Sequence, residues 1–342
     1  SYKAHDYSSK HDFSSSTKPS YKAHDYSTKY DFSSSTKPSY KAHDYSSKHD
    51  FSSSTKHAYP SHDYSTKYDF SSSTKNTQYS KPGRPLSKED IARQKIANEN
   101  KKIVESHQFY IDKHNVETVY DQDHSNIRYT IGKPSHTHTP IYIESTTTIG
   151  AAITSHNLHH TNEICILNFA DAIKPGGGYL NGRGAQEETL CRQTLLYPTI
   201  VGNDMYEQNK RHNCKVTGSD IMIYSPNVYV IRDDSYSRIK NPFKVNIISS
   251  PAVDNRGAGP SNSQKLMESR IRKIVLLAAS KRNDVLILGA FGCGVFKNDP
   301  KQVAQIFKKV LKDEGLKDHF SSIIFPIKDS KLSSIFRSII NS

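Results

Sequence analysis

Aliphatic side chains enter this chain late and abruptly. Residues 1–80 contain no Leu, Ile, Val or Met, and their apolar groups are Ala, Pro and aromatics set among Ser, Lys, His and Asp. A 19-residue repeat brings Phe13, Phe32, Phe51 and Phe70 round in the motif DFSSSTK. Such a segment cannot bury a core, and its period fits neither a helical repeat nor a β-solenoid rung, so a disordered low-complexity tail is expected over 1–80. From Ser87 the pattern changes. SKED reads as a capped helix start, and DIARQKIANENKKIVE (90–105) continues it as a helix. Apolar periodicity then predicts a strand over 140–144, a helix over 147–157 and a strand over 163–169. Strands follow near 221–231 and 244–249, then a helix over 262–281 and a strand over 284–289. A helix over 300–313, opened by Asp299-Pro300, a strand over 321–327 and a helix over 331–340 complete the series. Strands interleaved with helices imply an α/β fold, a mixed sheet flanked by helices on both faces, in one domain over 81–342. No run of eighteen apolar residues occurs, so no membrane span is expected.

Charge adds a partner class. The formal net charge is +13; the tail's eleven lysines and eight aspartates account for +3, which leaves +10 on residues 81–342. A positive field of that size suits an anionic polymer. Nucleic acid is a competing explanation, but no recognised nucleic-acid motif accompanies it. The tail's regularly spaced Tyr and Phe among lysines have the composition to meet polymer bases, although a passive spacer is the simpler reading. Cys165, Cys191, Cys214 and Cys293 are widely spread without a CxxC, as in a reduced intracellular protein. His156, His159 and His160, like His136 and His138, lack partners at metal spacing, so no metal is expected. The chain starts at Ser1 rather than a methionine, so a fragment or a removed targeting segment stays open.

The densest chemistry lies in ILNFADAIKPGGGYLNGRGAQEETLCRQ, residues 166–193. A buried strand, Ile164 to Phe169, ends in a loop with Pro175, Gly176, Gly177 and Gly178, and Gln186, Glu187 and Glu188 follow after seven further residues. Glycines let backbone N–H groups approach a phosphate or ribose, at the sheet edge where open α/β folds bind ligands. Two adjacent carboxyls at a helix start resist joint ionisation, so one pKa is expected to rise and the other to fall, giving one acid and one base. Glycosidic cleavage uses such a pair. The spacing is not GxGxxG and no GK[ST] follows, which excludes Rossmann and P-loop readings. A second glycine turn, Gly292-Cys293-Gly294, follows the strand ending at Leu288, and a helix start after it would converge backbone donors on an anion.

The GGG and QEE motifs, with NFADA before and LCRQTLLYP after, resemble the signature of the microbial-type poly(ADP-ribose) glycohydrolases. The resemblance continues in order through IMIYSPNVYVIRDD (221–234), VNIISSPAVDNRGAG (245–259) and LGAFGCGVFKNDPKQVAQIF (288–307), covering roughly 87–342. It implies a macrodomain-like core with an N-terminal helical extension. It further implies Glu188 as catalytic acid/base, Glu187 as the carboxylate orienting the ribose, and Gln186 as a residue holding the loop. Asn168, Asp171 and Gly176 to Gly178 would line the terminal ADP-ribose, with Gly292, Cys293, Gly294, Val295 and Phe296 forming the other diphosphate loop and Phe296 its aromatic neighbour. Asp171 departs from the small polar residue or asparagine expected there. The implied activity is hydrolysis of the ribose–ribose O-glycosidic bond of poly(ADP-ribose), exo-acting, by a monomer that needs no cofactor or metal. Alternatives are a hydrolase of single ADP-ribosyl units on protein or nucleic acid, or a non-catalytic ADP-ribose reader.

Overall fold

The computed structural model describes residues 85–159, 163–257 and 259–342. The repeats of the tail, and with them the expectation of disorder, lie outside the described residues, as does His160.

Helix α1, Lys88–Glu105, begins where SKED predicts it: Ser87 Oγ accepts from the Asp90 N–H while Asp90 Oδ2 accepts from the Ser87 N–H, a reciprocal capping box. Among the described residues seven strands form one sheet. They are β1 (Glu117–Val119), β2 (Ile141–Glu144), β3 (Ile164–Ala170), β4 (Met222–Arg232), β5 (Arg238–Pro251), β6 (Val285–Ile287) and β7 (Ser322–Pro326), in the order β1-β4-β5-β3-β6-β7-β2. Strands β5, β3, β6, β7 and β2 run parallel, and β4 lies antiparallel between β1 and β5. The mixed sheet is therefore as expected.

Strand β3 is central and buried on both faces, which explains its continuous apolar run. Cys165 and Leu167 enter the main core beneath α7 (Ser263–Ser280), α8 (Pro300–Lys308) and α9 (Ser330–Ile340). Asn168, one residue on, points to the opposite face. There α3 (Thr148–His159) and α4 (Gln186–Gln193) pack on the same strand.

Several elements differ from the periodicity. Strand β1 and helix α2 (Asp123–Thr130) were not legible, because a three-residue edge strand and a helix with one aliphatic residue carry no pattern. The short α5 (Tyr197–Ile200) and α6 (Asp204–Arg211) also escape, although α6 buries Met205, Tyr206 and Asn209. The strand expected over 284–289 pairs only through Ile287, since the chain turns out of the sheet at Gly289 with φ +136°. The helix expected over 300–313 is α-helical to Lys308 and closes with a π turn, Lys309–Asp313.

Candidate active site

Helix α4 meets the carboxyl end of β3, and Gln186 is the joint. Its Oε1 accepts from the Phe169 N–H at 2.9 Å, and its Nε2 donates to the Leu167 carbonyl at 3.0 Å and to Thr148 Oγ1 at 3.4 Å. The carboxamide serves β3 as a neighbouring strand would, just where β6 has left the ladder at Ile166. Gln186 is thereby committed to backbone and α3.

With the first residue of α4 fixed, the next two face the crevice. Glu187 is 3% exposed. Its Oε1 accepts from Asn168 Nδ2 at 3.3 Å and its Oε2 from the Asp171 N–H at 2.8 Å. Burial holds this carboxyl well above the usual carboxylate range, and the charges of Asp171 and Glu188 add to the shift. The rise expected of one member of the adjacent pair falls on Glu187. Glu188, 8% exposed, accepts from the Gly178 N–H at 2.8 Å through Oε1, while its buried Oε2 has no hydrogen-bond partner.

The glycines are explained by what they approach. Gly176 and Gly177 have φ of +66° and +53°, the left-handed region. A Cβ on Gly177 would stand 2.7 Å from Glu188 Oε1 and 3.2 Å from Glu187 Oε2, so both carboxyls close on this backbone. Asp171 folds the approach to the loop: its Oδ1 accepts from the N–H groups of Ile173 and Lys174, both at 2.9 Å. From α6, Asn209 Nδ2 donates to the Ala172 carbonyl at 2.7 Å, a second strut on the same loop.

The other wall leaves the adjacent parallel strand β6. Gly292, at φ +73°, packs so closely that a Cβ would stand 2.6 Å from Asn298 Nδ2. Asn298 Nδ2 donates to the carbonyls of Gly292 and Val253, and Asn298 Oδ1 accepts from Asn255 Nδ2, which laces this loop to the one after β5. Phe296 is half-buried, with the Arg256 guanidinium 5.5 Å from its ring centroid. Arg256 is itself held on Asp254 through a bidentate pair. Gly294 is exposed and Val295 is 55% exposed at the rim. Cys293 lies beneath, its thiol pushed up to about 12 by burial, so it packs rather than reacts.

The structure thus gathers Asn168, Asp171, Gly176 to Gly178 and Gln186 to Glu188 around one end of β3, with Gly292 to Phe296 on the loop after the neighbouring strand. Buried polar atoms without a partner gather at this end of the sheet, among them Asn168 Oδ1, Glu188 Oε2 and Ser250 Oγ. Buried polar atoms are ordinarily satisfied, and a hydroxyl-rich ligand matches these acceptors. Sequence reasoning missed Ser249, which accepts from Asn168 Nδ2 at 3.0 Å, and also Arg256 and Asn298. A serine pair at the end of an apolar strand, SSP, was the available signal for Ser249 and Ser250. The histidines stay apart from this chemistry: His156 stacks on Phe243 with ring centroids 4.2 Å apart, and His136 faces Asp284 at 4.0 Å. Among the described residues no group of three or more His, Cys, Asp or Glu converges as a metal site, and no helix is long and apolar enough to cross a membrane.

A glycine loop and a buried acid pair at the carboxyl edge of a mixed sheet define an α/β domain whose crevice is equipped for acid–base chemistry. The family model described as microbial-type PARG, catalytic domain, matches residues 62–233, and the chain belongs to that family. This match starts earlier than the motifs suggested, within the last repeat, and stops before the Gly292–Phe296 loop. Solved structures extend the likeness. The poly(ADP-ribose) glycohydrolase of Thermomonospora curvata is 29% identical, with a TM-score of 0.68 over 73% of this chain and 99% of its own. That of Deinococcus radiodurans, solved in complex with ADP-ribose, is 30% identical, with a TM-score of 0.61 over 67% of this chain and 95% of its own. The search of curated proteins found no significant match.

Proposed function

We propose that this protein is a glycosidase, a poly(ADP-ribose) glycohydrolase, that works from the end of the polymer and releases ADP-ribose by hydrolysing the ribose–ribose bond. The observation that carries the residue roles is the asymmetry of the acid pair. Both oxygens of Glu187 and Oε1 of Glu188 accept N–H groups, which leaves Glu188 Oε2 as the oxygen of the pair without a donor. The acid role therefore falls on geometry: the oxygen without a donor is the one free to carry a transferable proton to a bound ligand.

In the proposed reaction Glu188 passes that proton to the departing ribose oxygen as the bond to the anomeric carbon breaks. The cationic sugar is stabilised by Glu187 and the neighbouring diphosphate. A water then adds to the anomeric carbon and returns its proton to Glu188. The glycine loop and the Gly292–Phe296 loop hold the diphosphate with backbone N–H groups, and the Phe296 ring offers a face to ribose or adenine. Asn168, with Oδ1 unpartnered, accepts from a ribose hydroxyl. The Deinococcus relative was solved in complex with ADP-ribose, which supports ADP-ribose as the ligand unit. On this reading residues 81–342 are the catalytic domain, the repeats are an accessory tail, and the protein acts as an intracellular monomer on poly(ADP-ribose) or ADP-ribosylated protein.

Release of free ADP-ribose from purified poly(ADP-ribose) in EDTA tests this, with the full chain beside Glu188→Gln. Release by the parent and a loss of at least about a thousandfold in the variant, with ADP-ribose still bound, are expected. Binding without release by the parent would make the protein a reader, and turnover surviving in Glu188→Gln would overturn the role of Glu188.

A further inference from the structure

Helix α1 lies outside the sheet, yet it reaches both halves of the acid machinery. Asn100, in α1, is 3% exposed. Its Nδ2 donates to the carbonyl oxygens of Cys191 at 3.3 Å and Arg192 at 2.8 Å. These belong to the last turn of α4, whose carbonyls a helix terminus leaves without partners of its own. Asn100 Oδ1 accepts from Arg232 Nε at 3.0 Å, and the Tyr179 hydroxyl lies near the same side chain. Tyr179 sits on the glycine loop, its N–H donating to the Gly176 carbonyl at 2.9 Å. One buried carboxamide therefore ties the helix that carries Glu187 and Glu188 to α1 and β4, beside the loop that supplies the Gly178 N–H.

The rest of α1 grips the same loop. Gln94 Nε2 donates to the Leu180 carbonyl at 3.5 Å. Gly182, at φ +72°, passes α1 so closely that a Cβ would stand 2.1 Å from the Asp90 carbonyl oxygen. Glu188 depends on the relative placement of α4 and the loop, because its Oε1 and the Gly178 N–H come from the two different segments.

We propose that Asn100 is a positioning residue for the reaction, setting the distance between the carboxyls of α4 and the glycine loop; this rests on the glycohydrolase reading above. It acts through other groups and touches no reacting atom. Holding reacting groups in register is worth large factors in rate, and a displacement of about 1 Å from a remote substitution costs roughly a hundredfold. Simple docking of α1 onto the domain has a separate device, the Arg232–Glu99 pair at 2.9 Å.

Three variants of the full chain separate positioning from docking. Asn100→Asp keeps an acceptor for Arg232 but removes the donor to α4 and sets a carboxylate against two carbonyl oxygens. Asn100→Ala removes both links. Glu99→Gln removes the ion pair with Arg232 and leaves the bond from Arg232 Nε to Asn100. Both Asn100 variants are expected to lower kcat about thirtyfold with the Kd for ADP-ribose within about threefold, whereas Glu99→Gln lowers Tm with kcat within about twofold. A parental kcat in folded Asn100→Asp, or an equal loss in Glu99→Gln, would overturn the proposal. Amide exchange over 189–194 supplies a readout that needs no turnover: about tenfold faster in Asn100→Asp and unchanged in Glu99→Gln is expected. Equal exchange in the two would refute positioning even if the parent released no ADP-ribose, a result that by itself counts only against the glycohydrolase reading.

Discussion

Gly177 shows how one residue can matter to chemistry more than to stability. Its φ of +53° and the two carboxyl oxygens within reach of a Cβ make a side chain there doubly unwelcome. The atoms in the way are the ends of flexible glutamates, so the fold can yield while the site cannot. Gly177→Ala is expected to cost about 1–2 kcal/mol of stability and at least about a hundredfold in kcat. Urea unfolding beside turnover measures both, and a variant with parental kcat would show that the carboxyls do not depend on this backbone. Glu187 carries a pH signature. Its folded pKa is raised by burial, so its unfolded form gives up a proton first, near pH 4.5, and the folded form pays an increasing penalty above that. Relative to Glu187→Gln, which does not titrate, the parent should lose stability from about pH 4.5 upward at roughly 1.4 kcal/mol per pH unit until the raised pKa is passed. The Tm difference between the two proteins, followed from acid to neutral pH, reads this directly; a flat difference would mean that Glu187 titrates as a solvated carboxylate.

At the scale of elements, the site depends on how α4 is attached to β3. Gln186→Ala would leave the Phe169 N–H and the Leu167 carbonyl without their partner. A loss of about 2 kcal/mol or more and at least a roughly tenfold fall in kcat are expected, because the same joint sets where Glu187 and Glu188 point. Unchanged kcat in the folded variant would show that α4 is held by its other contacts alone. The helix start at QEE and the strand before it were legible because a buried parallel strand is a continuous apolar run and because glycines and adjacent carboxyls are conspicuous. The attachments were not. Asn100 looks in sequence like one more polar residue of an amphipathic helix, and only the fold shows that it faces inward to α4. Helix α6 was invisible for a related reason: Tyr206 and Asn209 are buried by the loop they support, not by an apolar stripe. Sequence pattern reports burial against a core well, and buried polar joints poorly. Asp171, expected to touch ribose, also commits one oxygen to the loop's own backbone, a role the pattern did not show.

Across the whole molecule, charge at long range opposes charge at the site. Residues 81–342 carry a formal +10, while the crevice gathers Asp171, Glu187, Glu188 and Asp254. Several surface cations are already engaged in local pairs, as in Arg272 with Glu268 and Glu314, Lys309 with Glu268, and Lys210 with Glu207. Such pairs add little stability, but they leave the net field positive at distances beyond a few ångströms. On the proposed reading a polyanion is drawn to the protein by the surface and admitted by the loops, whose backbone N–H groups would answer phosphate without a fixed charge. The two contributions separate on adding salt, because the Debye length falls from roughly 14 Å at 0.05 M to about 4 Å at 0.5 M. Over that range kcat/KM for long poly(ADP-ribose) should fall about tenfold while kcat stays within about twofold, and the Kd for ADP-ribose, with far fewer charges, should weaken much less. If kcat/KM is instead insensitive to salt, capture is achieved by the crevice alone and the positive surface answers to some other partner.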